Sequence, residues 1–274
     1  MKRMIAVLLT AMLLLSLAAC GGKDDTVKLG ALEMEGEGLF VSEEHEAHRK
    51  EEDGVSSDAR YERVNYSNLS AALMDLESGK IIELSVTESV ANYIAAHNEK
   101  IVVSKKNDAM TNFSMMTLDT NKEVYDILNN AIKEMKADGT LDTLIENELK
   151  AYINSDPEAK DLPKFDGART IKIGVTGDLP PMDFVAANGK AAGFNIALLT
   201  EIANRAQVNF ELVQIETGAR AIALSSNKVD AVFWTKSMKC TVCGAEGAEE
   251  VEGTLVTESY FSDYVTPINL KSDK

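Results

Sequence analysis

Between Thr170 and Asp230 the chain alternates strand and helix signals in an order that only an α/β sheet accommodates. Ile171 to Thr176 predicts a strand, Pro180-Pro181 a turn, and the Gly-bounded stretch up to Gly193 a loop. An amphipathic helix follows, then a strand from Val208 to Ile215, a short helix, and a strand from Val229 to Phe233. Strands separated by helices pair in parallel, with the helices on the sheet faces, and such sheets carry their ligand crevice at the carboxyl ends of the strands.

The first nineteen residues have the form of an export signal. Lys2 and Arg3 give the positive end, Ile5 to Leu17 the apolar run, and Leu17-Ala18-Ala19-Cys20-Gly21 a small-residue cleavage site that looks like a lipobox. Cys20 would carry the acyl chains, and residues 20–26 would tether the domain to a membrane surface. Losing Lys2 and Arg3 leaves the mature chain two units more negative than the full chain's −16. That charge argues against nucleic acid and anionic lipid headgroups as partners. No other apolar run approaches membrane-spanning length.

Downstream of the tether, Val27 to Met34 predicts a strand, and Glu35 to Arg60 is charged and without period. Arg60 to Tyr66 predicts a second strand. Leu69, Ala72, Leu73 and Leu76 lie at helical spacing, with Gly79 as the stop. Ile81 to Val86, Lys100 to Ser104 and Phe113 to Leu118 predict strands, with Val90, Tyr93 and Ile94 on an intervening helix. Val124, Ile127, Leu128, Ala131, Ile132 and Met135 form one long apolar stripe, with Asn121 as N-cap and Gly139 as terminator. A second helix runs through Leu141, Leu144, Ile145, Leu149 and Tyr152, and Pro- and Gly-marked residues 155–168 predict a linker. Residues 72–81 and 220–229 mirror each other as helix, turn and strand start, as two similar α/β lobes would produce.

Gly177-Asp178-Leu179-Pro180-Pro181, Gly189, Gly193-Phe194-Asn195 and Ser226-Asn227-Lys228-Val229-Asp230 resemble, in this order, the opening lobe of the bacterial extracytoplasmic solute-binding proteins of family 3, the polar amino acid type. Tyr66 to Tyr152 resembles the closing part of the same family, most sharply at Lys133 to Leu141, and Glu258 to Tyr264 resembles the segment before a crossing strand. Residues 35–60 and 238–252 lie outside the resemblance. It implies a two-lobed, type II periplasmic-binding-protein-like fold with the lobes in permuted order. Residues 27–119 would form the family's second lobe, 120–154 its terminal helices packing on the other lobe, 155–168 a new linker, and 169–274 the first lobe. It implies a lipid-anchored, monomeric protein on the extracytoplasmic face that captures a small polar solute by hinge closure for the permease subunits of an ABC-type importer.

The resemblance also implies a crevice. Leu179, Met182 and Phe184 fall where the family stacks aromatic rings on its ligand, and only Phe184 is aromatic here; ordinary core is the alternative for Met182. Trp234, the single Trp, follows a predicted strand at its crevice end. Asp178 and Asn195 belong to the matching motifs. The family's Thr-x-x-Arg carboxylate clamp reads Lys239-Cys240-Thr241-Val242, without Arg, and its amine-binding Asp is replaced by Thr87, with Glu88 beside it. Lys236, Lys239 or Arg220 would supply a cation, although a lone Arg such as Arg220 is by default a solvated surface residue. Cys240 and Cys243 form a disulfide or remain two thiols. A redox site or a zinc site with His45 and His48 fits less well, because the Gly-rich context predicts a loop and no second Cys pair exists. No cofactor motif, phosphate loop or Ser-His-Asp spacing is present, so no catalytic group and no metal is expected. The rivals are a sensing or adhesive lipoprotein without transporter, and a dehydratase on the same fold with Glu88 or Asp178 as acid.

Overall fold

The protein, a computed structural model, is described over residues 26–32, 60–104, 109–240, 246–248 and 251–271. The export signal, Cys20, residues 21–25 of the tether, Met34, residues 35–59, His45, His48 and Cys243 lie outside the described residues.

It is an α/β protein of two lobes. The β1 lobe comprises β1 (Thr26–Leu32), β2 (Arg60–Tyr66), α1 (Leu69–Glu77), β3 (Glu83–Thr87), α2 (Glu88–His97) and β4 (Ile101–Val103). β5 (Ala109–Leu118), α3 (Lys122–Asp138) and α4 (Thr140–Glu148) follow. The β6 lobe then contributes β6 (Thr170–Val175), β7 (Asp178–Leu179), β8 (Asp183–Val185), β9 (Ala191–Ala192), α5 (Phe194–Ala206), β10 (Asn209–Gln214) and α6 (Arg220–Ser225). It continues through β11 (Ala231–Cys240), β12 (Glu246–Ala248), β13 (Thr254–Val256) and β14 (Phe261–Leu270).

The two lobes share one wiring. In the β6 lobe the order is β10-β6-β11-β5, with β6 parallel to both neighbours and β5 antiparallel to β11. In the β1 lobe it is β2-β1-β3-β14, with β1 parallel to both neighbours and β14 antiparallel to β3. The strand β14 belongs to both: Phe261 to Tyr264 pair with β5, and Val265 to Leu270 pair with β3 and β4.

The correspondence reaches single residues. Val27-Lys28-Leu29-Gly30 in β1 stands where Ile171-Lys172-Ile173-Gly174 stands in β6, a match not apparent from the sequence patterns above. Gly30 pairs with Leu84 and Gly174 with Val232. A methyl on Gly30 would meet Ile81 Cδ1 at 2.4 Å, and one on Gly174 would meet Ile215 Cδ1 at 2.5 Å. Both glycines let an isoleucine lie across the central strand. The mirrored turns also agree: Gly79 and Asn227 take positive φ of 73° and 55°. The amides of Lys80 and Ile81 donate to Asp75 O, and those of Lys228 and Val229 to Ala223 O. Ile82 N donates to Lys28 O, and Asp230 N to Lys172 O.

The stripe on α3 buries Val124, Leu128, Ala131, Ile132 and Met135 against β5 and α5. Fully burying each of the Val, Leu, Ile and Met side chains contributes about 1.5–3 kcal/mol. Arg205 of α5 holds the helix junction, donating to Asp138 Oδ2, Glu201 Oε1 and Thr140 Oγ1 at 2.8–2.9 Å. Gly139 ends α3 in the left-handed region, as its position predicts. Asn121 does occupy the N-cap position, but its side chain donates to Asp230 Oδ1 at 3.4 Å instead of capping the helix. Residues 155–168 form no helix or strand, yet they are docked: Lys160 N donates to Ala191 O, and the Asn209 side chain bonds the backbone at Phe165.

Two strand expectations need correction. The strand expected over Val229 to Phe233 runs on to Cys240, because β5 and β12 pair with its continuation after the parallel pairing to β6 ends at Val232. Glu246–Ala248, expected in a loop, form the strand β12 antiparallel to Ser237–Lys239. Ile81 and Ile82, expected in a strand, form the bend before β3, where Ile81 is fully buried.

Candidate functional site

In the β6 lobe the motif residues Asp178 and Phe184 sit on the segment after β6. Gly177 has a φ of 74°, and a Cβ there would meet Val185 at 2.8 Å, so only glycine allows β8 to close against the turn. Asp183 Oδ2 accepts from Thr176 N at 2.8 Å and Val185 N donates to Gly177 O at 3.1 Å, which fixes the turn from below. Gly193 leaves room for the Pro-Pro loop: its added methyl would stand 2.7 Å from Pro181 O. Phe194 N and Asn195 N then donate to Pro181 O and Met182 O, clamping that loop to the start of α5.

This scaffold carries Asp178 across to the other lobe, where its Oδ2 accepts from Leu69 N at 3.1 Å, at the first turn of α1. The dipole and unpaired amides of a helix start favour a carboxylate there. A second acid behaves alike at the crossing strand. Asp263 of β14 accepts from Ser89 N at 2.9 Å and Ser89 Oγ at 2.5 Å, in the first turn of α2.

Burial pushes the Asp183 carboxyl up to about 6 against the pull of its bonds from Thr176 and Gly177, and the neighbouring charge of Asp178 pushes the same way. Burial also raises Asp263, opposed by the Ser89 and Tyr264 donors and reinforced by Glu88. Tyr260, 1% exposed, has its phenol raised by burial first and by Asp183, and lowered by Arg220. Its hydroxyl has no hydrogen-bond partner among the described residues, nor does Asn195 Oδ1.

The expected site residues are placed as follows. Arg220 is not a solvated surface residue: it is 9% exposed, starts α6, and donates to Thr217 O at 3.0 Å and Phe233 O at 3.1 Å. Met182 is 1% exposed and lies in the hydrophobic core, so core packing accounts for it and it is not a crevice wall. Asn195 is buried at the start of α5, whereas Phe184 is half-buried on β8. Thr87 is the N-cap residue of α2 and makes no side-chain cap bond; its buried Oγ1 has no partner among the described residues. Glu88 follows in the first turn, half-buried. Trp234 stands inside β11 opposite Ser114, rather than at the end of that strand. Cys240 closes β11, opposite Ala109. The structure therefore links Asp178 to α1, gathers Thr87 and Glu88 at the start of α2, and puts Asn195 and Met182 under the surface. Asp183, Tyr260 and Asp263 were not singled out from sequence. Tyr260 and Asp263 lie in the Glu258 to Tyr264 segment that resembles the family, but no role was read from either.

No group of three His, Cys, Asp or Glu suited to a metal exists among the described residues. No described helix is long and apolar enough to cross a membrane.

Residues 171–240 match the family described as bacterial extracellular solute-binding proteins, family 3. Over that segment the chain is similar to this family, a class of solute-binding proteins. No curated protein matches the chain. Among solved structures it is similar to the GluR0 ligand-binding core in complex with L-glutamate, at 12% identity over 92% of this chain and 87% of that one, with a TM-score of 0.43. The ligand-binding component of an ABC-type import system from Staphylococcus aureus, with zinc bound, is similar at 11% identity over 89% and 66%, with a TM-score of 0.43. The probable amino-acid ABC transporter extracellular-binding protein ytmK from Bacillus subtilis is similar at 12% identity over 91% and 85%, with a TM-score of 0.39. With scores below 0.5, these likenesses add no weight of their own.

Proposed function

We propose that the protein is an extracytoplasmic solute-binding protein, held at the membrane by a lipid on Cys20, that captures a small polar solute between its lobes and delivers it to an ABC-type importer. The observation that carries this is the family match over residues 171–240, the segment that builds the turn, loop and helix bearing Asp178. The solute sits between the Gly177–Phe184 segment of one lobe and the Thr87–Glu88 end of the other, and closing on it bends the strand shared by both lobes. Because the family's Arg clamp and amine-binding Asp are absent, groups such as Asp178, Glu88 and Thr87 do the recognising.

We further propose that the lobes are in permuted order relative to the family. Support comes from α3 and α4, which follow the β1 lobe in sequence yet pack on α5 of the β6 lobe, and from β14, which crosses from β5 into the β1-lobe sheet. Joining termini through residues 155–168 costs modest loop entropy.

A thermal-shift screen of residues 22–274 against amino acids, small peptides, amines and carboxylates tests the function. A solute at a hundred times its Kd that binds only the folded state adds about 2.7 kcal/mol, several degrees for a domain of this size. An α-amino acid hit supports the importer assignment with replacement anchors, and hits confined to other classes discard the amino acid label. Silence across the screen retires solute capture in favour of a sensing or adhesive lipoprotein.

A further inference from the structure

We infer that Asp178 is an interlobe clasp: its carboxylate, carried by the β6 lobe, docks on the amino end of α1 in the β1 lobe and holds the two lobes together in the solute-free protein. This rests on the two-lobed, hinge-closing account above, and it adds a means by which the chain sets its own closure.

The bond joins groups 109 positions apart, Asp178 Oδ2 and Leu69 N, 3.1 Å from each other. Both ends are held rigidly. On the β6 side the Gly177 turn is fixed by the Asp183 carboxylate, by Val185 N, and by Gln214 Nε2 donating to Thr176 O at 3.1 Å. On the β1 side Asn68 Oδ1 caps Ala71 N at 2.9 Å, and the Leu69 side chain is 5% exposed within the core. The local cap thus satisfies one first-turn amide of α1, and the opposite lobe satisfies another. A charged acceptor at a helix start makes one of the stronger single hydrogen bonds a protein offers. α1 is nine residues long, and the amides of Leu69 and Ala71 at its start find their partners outside the helix.

The same interface has a second tie at α2. Tyr93 Oη donates to Asp156 Oδ1 at 2.5 Å, linking the β1 lobe to the segment that enters the β6 lobe, with the Tyr93 ring stacked on His97 at 4.0 Å. That tie leans on the docked 155–168 segment. Asp178 instead bridges the two lobes directly, on the strand-loop segment that the family match covers, and so is the group whose release opens the crevice.

Hydrogen exchange and small-angle scattering on the solute-free mature chain test this. Leu69 N is protected in the wild type. In Asp178→Ala its exchange speeds about tenfold or more, as loss of a charge-assisted bond requires, and the radius of gyration rises. Asp178→Asn, which keeps an acceptor oxygen without the charge, falls between the two. Asn68→Ala speeds exchange at Ala71 and leaves the radius of gyration unchanged. Retained protection of the Ile173 and Val232 amides verifies that each variant is folded; should Asp178→Ala lose it, the Asn variant decides. Unchanged Leu69 exchange in the folded variants overturns the clasp, as does faster exchange with no change in radius, which would make Asp178 a helix cap only. The solute screen is independent: a silent screen with an intact clasp ends the capture proposal and leaves the clasp standing.

Discussion

At the scale of single residues, Asp178, Asp183 and Asp263 carry most of the chemistry, and each is tied to a backbone amide. Asp183 is the one whose titration is most exposed to test. Its folded value of about 6 lies above the ordinary 3.8, so the folded state holds a proton that the unfolded state has released. Stability from this group is therefore fully present below about pH 4 and is lost as the pH rises through about 6. We expect Asp183→Asn to remove that dependence. The difference between wild-type and variant unfolding free energies should change by on the order of 2 kcal/mol between pH 4 and pH 7, measured by urea unfolding at each pH. A difference independent of pH would mean that Asp183 does not titrate in this window. The sequence revealed Asp178 as a motif residue because a Gly-Asp-x-Pro-Pro turn announces itself. It did not reveal Asp183, because burial of an acid is decided by what closes over it, here β8 against Gly177 and the Tyr260 side, and no periodicity encodes that.

At the scale of elements, the clearest unit is the helix-turn-strand that occurs once in each lobe. Its helices, α1 and α6, end in a left-handed residue, Gly79 in one and Asn227 in the other, with matching amides returning to Asp75 O and Ala223 O. Nothing lies within 4 Å of a methyl built on Gly79, so substitution there tests backbone conformation alone. Gly79→Ala and Asn227→Ala should each cost about 1 kcal/mol, and their double variant about the sum, since the sites sit in different lobes. Asn227→Gly should be neutral or slightly stabilising. Chemical denaturation of the four variants checks this; a cost confined to one lobe would break the equivalence. This unit was legible because turn glycine and helix stop are local signals. The full length of β11 was not. Its outer half is a strand because β5 and β12 pair with it, and partners so distant in sequence leave no local mark on Thr235 to Cys240. The matching Val-Lys-Leu-Gly and Ile-Lys-Ile-Gly starts of β1 and β6 were present in the sequence, but four residues gain meaning only once both are seen as the central strand of a sheet.

At the scale of the whole molecule, two sheets of the same order meet in one shared strand, β14, and Asp178 of one lobe reaches the start of α1 in the other. Alternating strand and helix signals were enough to foresee an α/β protein of two lobes. Which groups would span them was not, because a bond such as that from Leu69 N to Asp178 depends on how two separately encoded lobes settle together. If a solute is held between the lobes, hydrogen exchange of the mature chain with and without the compound that gives the largest thermal shift reveals it. Protection should rise together in the Gly177–Phe184 segment and in the Thr87–Ala91 segment, one from each lobe. Protection that rises in one lobe alone, or far from both segments, would contradict it.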